Sequence, residues 1–178
     1  MTKHEINKFP PSLFKHGRFL REDWTACTDI GRPMQHGKLD RQEYLRVESL
    51  YVSAVAALAR TVQPELLHVH AVEFWDSASD RLSSLELAEV FDGSAVPAES
   101  EQVGGARLDN IVRRCLRDVA WLELMVVPKL LIHFGYDMRV IVATSTPLTG
   151  PLDQIKASGL FVYDSDAPLP TIESWNQP

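Results

Sequence analysis

Residues 108–144, LDNIVRRCLRDVAWLELMVVPKLLIHFGYDMRVIVAT, constrain the fold more than any other part of the chain. Ile111, Val112, Cys115, Leu116, Val119 and Leu122 recur at helical spacing and predict an amphipathic helix over 108–125. Asp109 sits near its start, where the helix dipole favours an anion, and Pro128 bars its continuation. Arg113, Arg114 and Arg117 form its basic face, with Asp109, Asp118 or Glu123 as ion partners. Two apolar runs of strand length follow, over 129–134 and 138–144. Only Gly135-Tyr136-Asp137 separates the two runs, so they pair antiparallel as a hairpin, with Gly135 supplying the unusual backbone angles.

The other elements are consistent with that centre. Asp40 caps a helix over 40–62, and Glu43 completes a capping-box-like pattern. Tyr44, Val47, Tyr51, Ala54, Val55, Leu58 and Val62 make its buried stripe, and Pro64 ends it. Leu66–Trp75, LLHVHAVEFW, is a strand with apolar residues on both faces. Residues 76–91 suit a short helix, and 97–105 a polar loop. The stretch 144–151 reads as a turn region, and Leu160–Tyr163 as a last short strand. Residues 1–38 form an ordered arm, 39–163 the core and 164–178 a polar tail. With 178 residues the chain makes one domain. The expected class is α+β, with helices on one face of a mixed or antiparallel sheet; doubly wound α/β is the alternative.

Charge narrows the function. With 24 acidic and 18 basic residues the net charge is −6, which disfavours direct nucleic-acid binding and suits a basic partner. No run is long and apolar enough to span a membrane, and the N-terminus lacks the apolar core of a signal peptide, so a cytoplasmic location is expected. Cys27 and Cys115 are read as unpaired, with Cys115 a small buried hydrophobe.

Motifs for catalysis are sparse. His68-Val69-His70 on a strand projects two imidazoles to one face, about 6–7 Å apart. With a third ligand such as His133 they can hold Zn²⁺ in a metal-dependent hydrolase, whereas Glu73 joins them only if the strand bulges. The more frequent role of such a pair is on a half-buried, hydrogen-bonded strand face. Phosphate-binding glycine motifs and the nucleophile elbow of serine hydrolases are absent from the sequence.

Several patches taken together resemble bacterial immunity proteins that neutralise secreted or contact-dependent toxins. They are Glu22-Asp23-Trp24 followed by Asp29-Ile30-Gly31, Tyr44 with Glu48 and Tyr51, Leu116-Arg117-Asp118 with Trp121, and His133-Phe134-Gly135-Tyr136-Asp137-Met138. The resemblance implies a non-enzymatic, stoichiometric inhibitor that occludes a toxin domain, a nuclease among the options, and it carries over no catalytic residue and no cofactor. Acidic and aromatic residues are the expected docking set: Asp23, Trp24, Asp76, Asp80, Tyr136 and Asp137. A small regulatory domain that dimerises through a helix face is a third reading.

Overall fold

The computed structural model describes residues 1–15, 18–20, 23–34, 37–75, 78–91 and 96–171. The strands are β1 (Thr2–Asn7), β2 (Phe14–Lys15), β3 (Arg18–Phe19), β4 (Pro33–Met34), β5 (Gly37–Lys38), β6 (Leu67–Phe74), β7 (Gln102–Val103), β8 (Ala120–Val126), β9 (Leu130–Phe134), β10 (Val140–Thr144) and β11 (Phe161–Asp164). The helices are α1 (Arg41–Arg60), α2 (Ala78–Ser84), α3 (Gly105–Leu116) and α4 (Thr149–Ala157). Seven strands form one sheet in the order β11-β1-β10-β9-β8-β6-β7, and every pairing in it is antiparallel. The pairs β2–β3 and β4–β5 are small separate hairpins. Helices α1, α3 and α4 cover one face of the sheet, so the fold is α+β as expected.

The main core lies between that face and the helices. From α1 it takes Tyr44, Val47, Tyr51, Val55 and Leu58, the stripe legible in the sequence. Asp40 caps α1 by accepting the Glu43 amide at 2.7 Å. The Glu43 side chain does not close the box; it grips Arg46 at 2.7 and 2.8 Å instead.

The largest departure from expectation is at 108–125. The helix stops at Leu116, and Ala120–Val126 is a strand. Asp118 takes a positive φ of 53°, which breaks the helix and reverses the chain. From Ala120 the apolar pattern has period 2: Leu122, Leu124 and Val126 enter the helix-side core while Trp121, Glu123 and Met125 alternate to the other face. Read at helical spacing, Val119 and Leu122 extend the stripe of α3 by coincidence.

Three further expectations change. Thr2–Asn7 is an interior strand between β11 and β10, not part of a peripheral arm. Residues 149–157 form a helix where a turn was expected; Gly150 and Pro151 sit in its first turn, where a missing amide donor is harmless. In the β9–β10 connection the left-handed residues are Asp137 (φ 60°) and Met138 (φ 54°), not Gly135. Met138 is buried and anchors that turn to the core.

The sheet's second face carries a smaller core of Leu131, Ile141, Ala143 and Leu169, with Met125 and Ala167 against it. Leu169 and Ala167 belong to the tail, so its described residues pack across this face. Lys3 ties it down by donating from Nζ to the Ala167 carbonyl at 2.6 Å.

Candidate functional site

Two regions hold the residues singled out by the sequence. The first is a row of side chains on the tail-covered face. Cross-strand partners run in register from Tyr163 to Glu5, Ile141, His133, Glu123 and His70. Aligned partners share a face, so two buried carboxylates, Glu5 and Glu123, lie outside the main core. Glu5 accepts from Arg139 Nε at 3.0 Å and Nη2 at 2.7 Å, from Asn7 at 3.3 Å, and from the Tyr163 hydroxyl. Glu123 faces His133 Nδ1 at 2.9 Å and accepts from the Thr171 hydroxyl of the tail. Burial raises the pKa of both carboxyls, but these donors outweigh it and hold them below the ordinary glutamate value.

His70 and His68 sit at the open side of this row. His70 Nδ1 is 2.6 Å from Glu99 Oε1. Trp121 meets the His133 ring edge-on at 5.4 Å between centroids. Strand β6 does bulge between His70 and Glu73, with Ala71 at φ 54°. The bulge returns Val72 and Phe74 to the helix-side core and aligns Glu73 with Trp121. Among the described residues, however, no group of three or more His, Cys, Asp or Glu can hold a metal ion. His68, His70 and His133 are therefore not gathered into the metal centre considered from the sequence.

The second region is the end of the sheet where β6 finishes, β8 begins and β9 turns into β10. Tyr136 is 86% exposed at the tip of that turn. The turn is tightly bonded: the Gly135 amide donates to the Arg139 carbonyl at 2.8 Å and the Arg139 amide to the Tyr136 carbonyl at 3.2 Å. Asp137 is exposed beside Tyr136. Trp75 is partly exposed, and its amide donates to the Val119 carbonyl at 2.9 Å, next to Asp118. Arg81 donates from Nη2 to the carbonyls of Arg117 at 3.2 Å and Asp118 at 3.3 Å, which sets α2 and its exposed Asp80 beside the same turn. Crowding of the Asp118 carboxyl by the surrounding chain raises its pKa; Asp137 and Asp29 add to the rise and Arg81 opposes it.

Of the expected docking residues, Tyr136, Asp137 and Asp80 thus lie at one end of the sheet. Asp76 lies outside the described residues. Trp24 is a core residue: its ring is buried against Tyr44 at 5.9 Å, and its amide donates to Asp23 Oδ1 at 2.8 Å. Sequence reasoning marked Asp118 only beside the arginine face and within the resemblance, and it read Trp75 only as the end of a strand. The signal for Trp75 was an aromatic residue at the end of a strand, beside a turn.

The expected basic face of the 108–125 helix is largely internal. Arg114 and Arg117 are fully buried. Arg117 donates to Glu48 from Nε at 2.6 Å and Nη2 at 2.7 Å, donates to the Leu87 carbonyl from Nη1 at 2.6 Å, and meets Glu89 at 2.8 Å. Arg114 donates to Asn110 at 2.8 Å and lies 5.9 Å from the Phe74 ring centroid. Cys27 is buried too, its thiol donating to the Arg117 carbonyl at 3.6 Å, and both cysteines are free thiols. Burial pushes the Cys27 thiol up to about 11, which makes it a poor nucleophile.

Compared with protein-family models, with curated proteins and with solved structures, the chain matches none of them. No helix among the described residues is long and apolar enough to cross a membrane.

Proposed function

We propose that the protein is a stoichiometric inhibitor of the toxin-immunity type, which docks its Tyr136–Asp137 end into a basic cleft of a toxin domain. The observation that carries this reading is Tyr136, an aromatic ring 86% exposed on a turn that is itself bonded and anchored by Met138. A ring held out on a fixed backbone loses little freedom on binding, which is the property of a tight-binding anchor. The neighbouring carboxylates Asp80, Asp118 and Asp137, with Trp75, complement a cleft built to attract phosphate. The overall charge of −6 speeds encounter with such a partner. The resemblance to immunity proteins supports the same reading.

The test is co-purification and titration with the product of a neighbouring toxin gene. The reading expects a 1:1 complex, protection of cells that express the toxin, and loss of both on Tyr136→Ala with Asp137→Lys. Binding that is indifferent to those changes would remove this docking face.

A further inference from the structure

The bulge in β6 decides where Glu73 points. In regular alternation from His68 and His70 it would face the helices; the shift brings it to the opposite side of the sheet, cross-strand from Trp121 on β8. Glu73 is exposed there, and among the described residues it makes no hydrogen bond and no ion pair. The cationic groups at this end of the sheet are engaged elsewhere: Arg139 with Glu5, Arg81 with two backbone carbonyls and His133 with Glu123. Trp121 is half-buried and touches the His133 ring edge-on. Continued by two residues, the β8–β9 register sets Gly135 opposite Trp121, and Gly135 in turn bonds Arg139. Chain neighbours aside, a Cβ at Gly135 would meet only Arg139 within 4 Å, at 3.5 and 3.6 Å. The row Glu73–Trp121–Gly135–Arg139 therefore has a notch beside the Trp121 ring, one residue from Tyr136.

We infer that this row receives an arginine side chain of a protein partner, with its stem over Gly135 and its guanidinium on Trp121 against the Glu73 carboxylate. The inference rests on the docking reading above for where the partner sits, and it names what the partner brings. Charge selects a cation: Glu73 is an unpaired carboxylate, and exposed Asp137 lies at the adjoining turn. The indole selects arginine among cations. A guanidinium is flat and weakly hydrated, so it can stack on a ring while its edge donates to a carboxylate. A lysine ammonium is a compact, strongly hydrated charge and makes one of these contacts at the expense of the other. The notch takes an unbranched methylene stem because Gly135 puts no side chain in its way. A bulge that would otherwise be an irregularity in β6 is what sets the acid beside the ring.

The test titrates the intact, nitrogen-15-labelled protein at low salt with acetyl-hexaarginine amide and, separately, acetyl-hexalysine amide. The indole N–H signals report each tryptophan by itself. The Trp121 signal is expected to move saturably with the arginine peptide while that of buried Trp24 stays in place. The arginine peptide should bind about threefold or more tightly than the lysine peptide, the share that stacking on a ring contributes. Glu73→Gln and Gly135→Leu should each abolish that preference. Asp153→Asn, which removes the same charge from the exposed side of α4, should leave it intact. Equal affinity for the two peptides, a Trp121 signal that does not move, or a Glu73→Gln effect no larger than that of Asp153→Asn would overturn the inference. Such a failure beside a toxin complex that still weakens on Tyr136→Ala would strike the arginine site alone. An arginine preference that survives beside a toxin complex indifferent to Tyr136 would strike the docking reading instead.

Discussion

Replacing Glu48 with Gln removes one charge from the most enclosed ion pair in the molecule. The Arg117 guanidinium is wholly buried, and four contacts hold it: two to Glu48, one to the Leu87 carbonyl and one to Glu89. Gln keeps the volume of Glu but turns an amide donor toward a guanidinium donor. Breaking a buried pair from one side costs about 3–5 kcal/mol. Glu89, half exposed at 2.8 Å, still neutralises part of the charge, so the lower end of that range applies. With a urea slope of about 2 kcal/mol/M, a loss of about 3 kcal/mol moves the unfolding midpoint down by about 1.5 M. Arg117→Met alone leaves Glu48 with the longer contact to Arg113 at 3.5 Å and the Tyr44 hydroxyl, and should cost a similar amount. The pair Glu48→Gln with Arg117→Met leaves neither partner's charge in this site and should cost at least about 2 kcal/mol less than the two single changes summed. Urea unfolding followed by circular dichroism reads all of these. A Glu48→Gln loss under about 1 kcal/mol, or simple additivity in the pair, would refute the view that this ion pair is a dry internal tie.

Other expected outcomes concern the tail, the acid limb and the docking turn. Glu123→Ala should leave His133 and Thr171 without their shared acceptor, cost about 1–3 kcal/mol, and speed amide exchange over 165–171. Glu5 and Glu123 have depressed folded pKa values, so their stabilisation is present above the ordinary value near 4.5 and is lost as pH falls below it. Glu5→Gln should therefore flatten the fall in Tm between about pH 5 and 3. Leu169→Ala should cost about 2 kcal/mol by calorimetry and release the tail from the second face. Tyr136→Ala should shift stability by less than about 0.5 kcal/mol, because its ring is outside the core.

The fold was legible where one period dominated. The stripe of α1, with its Asp40 cap, and the β9–β10 hairpin follow directly from spacing and turn length. Residues 116–126 were misread because two periods overlap there: Val119 and Leu122 satisfy the helix, while Leu122, Leu124 and Val126 satisfy the strand. The sign of the break is Asp118, one of the few residue types that tolerate positive φ, and nothing local distinguishes it from a helix-face aspartate. The burial of Arg114 and Arg117 was illegible for a different reason. Their partners Glu48 and Glu89 are distant in sequence, and only the packing of α1 on α3 brings Glu48 to Arg117. Within the candidate docking surface, the sequence marked Tyr136 and Asp137 through the polar tip of a hairpin. Trp24 looked like a similar anchor, and only the tertiary structure shows its ring turned inward onto Tyr44.

The central claim is a docking face at Tyr136. Isothermal titration of the wild-type protein and of Tyr136→Ala against the toxin domain proposed as its partner tests it most directly. The expected result is a single 1:1 site for the wild type and about thirtyfold weaker binding for the variant, the loss that removal of an anchor worth about 2 kcal/mol produces. Equal affinity for the two proteins, with both folded, would contradict it.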